Sequence, residues 1–139
     1  MRRRLREVPP TAGLPLEMAD LLPRADSLAT TLAAQLGTPA LQIECSGTAA
    51  LLVALATLRQ RAPARDTVIV PAYTCPLVAL AVHHLGLRLR VCDTRAGHWD
   101  LDPQALAALC DERTLAIMPT HLAGLVADLD APLALAHDC

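Results

Sequence analysis

The chain has 139 residues, enough for one domain with a real core, and its 53% hydrophobic and 19% charged residues place it far from disordered sequences. Twelve arginines against fourteen acids give a formal charge of −2, and Tyr73 and Trp99 are the only aromatics, so the cationic face and stacking platforms of a nucleic-acid binder are missing. The longest uncharged apolar run, Cys45 to Leu58, is shorter than the ~20 residues that span a bilayer, and no membrane span is expected.

Residues 1–26 read as a basic, Pro-punctuated tail. Arg2, Arg3, Arg4 and Arg6 form a solvated patch with no apolar stretch behind them to make a signal peptide, and Pro9, Pro10, Pro15 and Pro23 follow. Residues 27–139 carry the folded pattern. "DSLATTLAAQLG" is a helix that Asp26 or Ser27 can cap and Gly37 can end. "LQIE" (41–44) is a short buried strand. It runs into "SGTAALLVALATLRQR", a helix with Ser46 as N-cap and Arg59 and Arg61 at its C-terminal end, where cations suit the dipole. Apolar all round over 47–58, this helix is expected to be buried.

Three further units repeat one theme. "TVIVPA" (67–72) is a β-branched strand before "CPLVALAVHHLG", a helix whose first turn tolerates Pro76 and which Gly86 ends. "LRLRVCD" (87–93) alternates as a strand and leads through "TRAGHWDLD" to the helix "PQALAALC", with Asp102 as N-cap and Pro103 at its first position. "LAIMP" (115–119) is a strand, "THLAGLVAD" a loop, and "APLALAHDC" a helix capped by Asp130. Strands alternating with helices of this length make an α/β fold of parallel βαβ units with right-handed crossovers.

A strand that ends in Ser46-Gly47-Thr48 and turns into a helix offers free backbone N–H groups at the positive end of a helix dipole, which is an anion site and most often one for phosphate. Neither the G-x-x-x-x-G-K-[ST] nor the G-x-G-x-x-G pattern is present, so a single phosphate suits it better than a nucleotide triphosphate. The same residues also make a plain N-cap with a tightly packed glycine, and the motif alone leaves both readings open. Five cysteines (Cys45, Cys75, Cys92, Cys110, Cys139), widely spaced and without a C-x-x-C pair, read as free thiols in a cytoplasmic protein.

Four landmarks occur in order and register: S-G-T-x-A-L, the V-I-V-P-x-x-T strand end, D-x-x-x-x-x-L-D-P before a helix, and P-x-H-L-x-G followed by A-D-x-D. From about Pro9 to Cys139 the chain closely resembles the start of the DegT/StrS (DegT/DnrJ/StrS) aminotransferases, fold type I pyridoxal-phosphate enzymes. Many members aminate nucleotide-linked keto-sugars for polysaccharides and antibiotics. The resemblance implies part of the PLP-transferase large domain, its first strand separated from the others by strands later in the family's chain. It implies a keto-sugar or related keto substrate, an amino-acid donor and a homodimer when complete. It also implies that Ser46, Gly47 and Thr48 hold the cofactor phosphate, and that either Cys75, aligned with the family's stacking aromatic, or Tyr73 covers the pyridine ring. Core packing is the other reading of Cys75.

Pyridoxal-phosphate chemistry needs a Schiff-base lysine and a carboxylate at the ring nitrogen. The sequence has no lysine, and the family's carboxylate lies on the strand after the last helix. Asp138 is rejected for that role because it aligns with the end of that helix. The chain is therefore expected to be an N-terminal portion that is inactive alone. A non-catalytic module that binds a phosphorylated ligand or pairs with a longer homologue is the alternative.

Other polar groups read as structural. Adjacent His83 and His84 point about 100° apart on a helix and do not chelate one metal. His121 suits a hydrogen bond to its own loop, His98 and Trp99 pack locally, and Asp93, Asp100 and Asp102 are spaced poorly for a cation.

Overall fold

A computed structural model describes Met18, Leu22 and residues 27–138. The basic patch, the tail prolines, Asp26 and Cys139 lie outside the described residues. Contacts divide the chain into two units, Met1–Ile43 and Glu44–Cys139.

In the first unit, α1 (Leu28–Leu36) ends as the sequence implies. Gly37 adopts the left-handed conformation at φ 66°, and the Thr38 N–H closes back on the Ala33 carbonyl at 3.0 Å. Ser27 occupies the N-cap position, but its side chain makes no capping hydrogen bond. "LQIE" does not form the expected buried strand: residues 41–44 carry no strand, and Ile43 is 44% exposed. A strand needs a laddered neighbour, and the sheet is made without these residues.

The second unit is a three-stranded sheet in the order β2-β1-β3, flanked by four helices. β1 (Thr67–Pro71) is central and pairs in parallel with β2 (Arg88–Cys92) and β3 (Thr114–Ile117). All five β1 residues are buried, as a β-branched strand covered on both faces should be. The register slips by one residue on the β3 side, where Thr67 faces Thr114 and Val68 faces Ala116. The Asp66 and Thr67 N–H groups both reach the Arg113 carbonyl there, each at 3.0 Å.

The side-chain alternation of β1 divides the core. Val68 and Val70 pack with Leu55 of α2 (Gly47–Arg61), Val82 of α3 (Pro76–His84) and Leu87. Ile69 packs on the opposite face with Cys92, Leu101 and Leu106 of α4 (Pro103–Leu109), and Leu135 of α5 (Asp130–Asp138) joins them. Among the described residues, ion pairs lace the periphery: Asp66 with Arg113, Asp111 with Arg90 at 2.7 Å, and Arg95 with Asp100 at 2.8 Å and with Asp128 at 3.9 Å.

Three further expectations need correction. α2 is not buried all round: Leu55 is its only buried residue, while Val53 and Leu58 face solvent, because α3 and β3 cover one side only. At α5 it is Asp128, not Asp130, whose carboxylate accepts a first-turn N–H, that of Asp130 at 3.0 Å. Cys45, Cys75 and Cys92 are free thiols, but Cys110 is disulfide-bonded; wide spacing in sequence does not restrain which cysteines a fold brings together.

Leu106 is fully buried and Leu58 is 40% exposed. Leu106→Ala is expected to cost about 2–5 kcal/mol in urea denaturation followed by circular dichroism, and Leu58→Ala no more than about 0.5 kcal/mol. Equal costs would contradict this assignment of the core.

Candidate functional site

Parallel strands force each crossover helix to run back against them. α2 ends at Arg61, just before the start of β1, and the Arg59 guanidinium donates to the Leu85 carbonyl at the C-terminal end of α3. Both helices therefore begin at the edge of the sheet where the strands end. α2 is about 22 Å long at 1.5 Å per residue, which carries Gly47 across the sheet to that edge. Open parallel sheets bind ligands there.

The mouth of α2 is an N-cap and also an open one. Ser46 is extended (φ −159°, ψ 159°), and its Oγ accepts the Ala49 N–H at 3.1 Å. The Ala50 N–H returns to the Ser46 carbonyl at 3.0 Å. Of the four orphan donors of a helix start, the N–H groups of Gly47 and Thr48 are left without a partner among the described residues. A Cβ built on Gly47 would meet nothing within 4 Å, so of the two readings left open by the sequence the tightly packed glycine is absent, and Gly47 leaves open space over the amides. Two free N–H groups, two hydroxyls and an open approach fit a phosphate.

The loop after β1 carries the other two candidates. Cys75 is an exposed free thiol at the N-cap of α3 and makes no capping bond, so the core-packed reading of Cys75 fails. Tyr73 is 60% exposed, and its ring lies on Trp99 with centroids 4.8 Å apart and planes tilted by 37°. Thr74 and Thr120 share a hydroxyl hydrogen bond at 2.9 Å, tying the loops after β1 and β3. Ser46–Thr48 and Tyr73–Cys75 lie on one edge of the sheet, and no hydrogen bond or ring contact joins the two groups among the described residues.

The loop after β2 is a closed hairpin. Thr94 and Leu101 bridge in antiparallel fashion, the Arg95 N–H donates to the Asp100 carbonyl at 3.0 Å, and Gly97 turns the tip at φ 75°. Asp100 accepts from Arg95 and, through its other oxygen, from the Asp128 N–H at 3.0 Å. That backbone donor first, and the Arg95 guanidinium second, hold the Asp100 carboxyl below its usual range. Asp102 caps α4 with bonds of 2.9 Å to the Gln104 and Ala105 N–H groups, as expected.

The loop after β3 turns sharply at Ala123 (φ 52°) and Gly124 (φ 78°), between paired Leu122 and Leu125. His121 Nδ1 accepts the Ala127 N–H at 2.9 Å, the structural role its position in the loop implied. His83 and His84 are exposed at the end of α3. No metal-binding cluster and no helix long and apolar enough to cross a membrane occur among the described residues. The Tyr73–Trp99 contact, the threonine pair and the Asp100–Asp128 tie were not legible in the sequence, since each joins loops that follow different strands.

A profile of the DegT/DnrJ/EryC1/StrS aminotransferase family matches residues 17–139. The L-glutamine:2-deoxy-scyllo-inosose aminotransferase of Streptomyces lividus is 40% identical over 92 residues, 66% of this chain and 21% of that protein. The crystal structure of 3-amino-5-hydroxybenzoic acid synthase superposes with a TM-score of 0.69 at 36% identity, over 79% of this chain and 28% of that one. A Streptococcus pneumoniae protein assigned as a sugar aminotransferase, in its pyridoxal-phosphate form, gives 0.69 at 30% identity, over 77% and 26%. The chain thus spans well under a third of the length of each of these relatives.

Because its folded-state pKa is depressed, the Asp100 carboxylate contributes stability that is complete above its usual value of 3.8 and fades as pH falls through the lower folded value. Emission from Trp99, the only tryptophan, should stay constant from neutral pH down to about 4 and change below it, and Asp100→Asn should make the transition less steep. An equally steep transition in the variant would remove Asp100 as its source.

Proposed function

The chain belongs to the DegT/DnrJ/EryC1/StrS aminotransferase family, and from that premise we propose that it is the N-terminal part of a pyridoxal-phosphate-dependent enzyme that moves an amino group from an amino-acid donor to a keto-sugar or cyclic ketone. The open N-terminus of α2 carries this reading. The cofactor's phosphate would accept hydrogen bonds from the Gly47 and Thr48 N–H groups and from the Thr48 hydroxyl. Ser46 can contribute as well, since its Oγ accepts from Ala49 and its O–H proton remains to be donated.

When bound, pyridoxal phosphate supplies the electron sink for amino transfer. On this reading the residues of the chain seat and orient it. Of the two candidates for covering the ring, the Tyr73 ring is engaged with Trp99, whereas the Cys75 thiol is uncommitted. That difference favours Cys75 against the pyridine and Tyr73 as a support for the neighbouring loop. The sequence has no lysine, so the amine that links the cofactor covalently and the carboxylate at its ring nitrogen are assigned to further segments of a longer, homodimeric protein in the cytoplasm.

The 139-residue chain alone is expected to form no amino product from L-glutamine and a keto-cyclitol. It should prefer pyridoxal phosphate over pyridoxal, which lacks the phosphate, and Thr48→Val should weaken binding of the phosphorylated form about tenfold, the value of a hydrogen bond to a charged group. Equal affinity for the two compounds would remove the phosphate site. Amino transfer by the isolated chain would overturn the assignment of the missing groups.

A further inference from the structure

Among the described residues, β2 has a single ladder partner, β1. The ladder fixes which backbone groups remain. The Arg88 N–H donates to the Asp66 carbonyl and the Cys92 carbonyl accepts the Ala72 N–H, both at 2.8 Å, so residues 88, 90 and 92 turn their backbone groups toward β1. Leu89 and Val91 turn theirs outward. Two N–H and two C=O groups thus line an edge whose register with β1 is unshifted and which contains no proline, so two of the devices by which edges refuse a further strand are missing.

The side chains of this edge have a pattern. Leu89 and Val91 stand in register with Val68 and Val70, on the face that α3 packs against, yet are 39% and 54% exposed, so the rim of that face is unroofed. On the other face Cys92 is buried and Arg90 is held by Asp111 at 2.7 Å. Arg88 is exposed and makes no ion pair among the described residues; its nearest acid, Asp66, is already held by Arg113. Asp93, exposed, follows the strand. An incoming strand therefore meets an apolar rim on one face and, on the other, a cation at the start of β2 and an anion past its end.

We propose that the free edge of β2 binds an extended acidic segment of a partner protein by strand addition, with alternate apolar side chains on Leu89 and Val91 and a carboxylate on Arg88. A second copy of β2 is the poorer occupant, since pairing the strand with itself sets arginine against arginine. The proposal is independent of the amino-transfer reading: the edge flanks α3, whereas α2, with its open amides, packs on α3 and β3.

The test is a fluorescence-anisotropy titration of the 139-residue chain against a fluorescein-labelled peptide of alternating glutamate and valine, with its N-methylated form and a lysine–valine peptide as controls. Saturable binding of the acidic peptide alone is expected, with the Leu89 and Val91 amides gaining protection from hydrogen exchange. Val91→Pro removes an outward N–H and spares the ladder to β1; it should weaken binding at least about tenfold with an unchanged circular dichroism spectrum. Should that variant fail to fold, Arg88→Glu serves instead and should shift the preference toward the lysine peptide. No saturable binding, equal binding of the N-methylated peptide, or protection that arises away from Leu89 and Val91 would overturn the proposal. So would self-association of the chain that Val91→Pro abolishes, which would make a second copy the occupant.

Discussion

β1 is hydrogen-bonded along both edges to parallel neighbours and buried along its whole length, and the geometry of the molecule's working end follows from that constraint. A parallel neighbour forces each connection to travel back outside the sheet, so α2 and α3 both start where the strands finish. The loops after β1, β2 and β3 emerge at that same edge. Free N–H groups, an exposed thiol, a braced indole and a histidine-pinned turn are collected there by topology, although they are scattered between residues 46 and 127.

Two different physical devices hold these loops. Below the edge, alternation along β1 places Val68 and Val70 against α2 and α3 and Ile69 against α4, a rigid base whose stability is hydrophobic. At the edge itself the ties are polar and local: Thr74 to Thr120, Asp100 to Asp128, His121 to Ala127. Apolar burial thus sets the platform, and hydrogen bonds between loops set the positions of the groups that face a ligand.

Much of this was legible in the sequence because local chemistry writes it there. The β-branched run at 67–70, Pro76 and Pro103 at helix starts, the Asp102 cap and the glycines at 37 and 86 each fix a backbone state within a few residues. The four motifs in register pointed to the family. What escaped depends on neighbours: whether 41–44 ladders and which side of α2 is covered are decided by segments distant in sequence. The openness at Gly47 belongs to the same class, since "SGT" reads equally well as a packed turn until the space above it is known.

The central claim is that the free amides at the start of α2 hold a phosphate. The most direct measurement is a titration of the ¹⁵N-labelled chain with pyridoxal phosphate, following backbone amide resonances. The account predicts that the Gly47 and Thr48 N–H signals shift the most and move downfield as hydrogen bonds form, with little change at Ala49, whose N–H is already held by Ser46. Unmoved Gly47 and Thr48 resonances, with the largest shifts elsewhere in the chain, would contradict it.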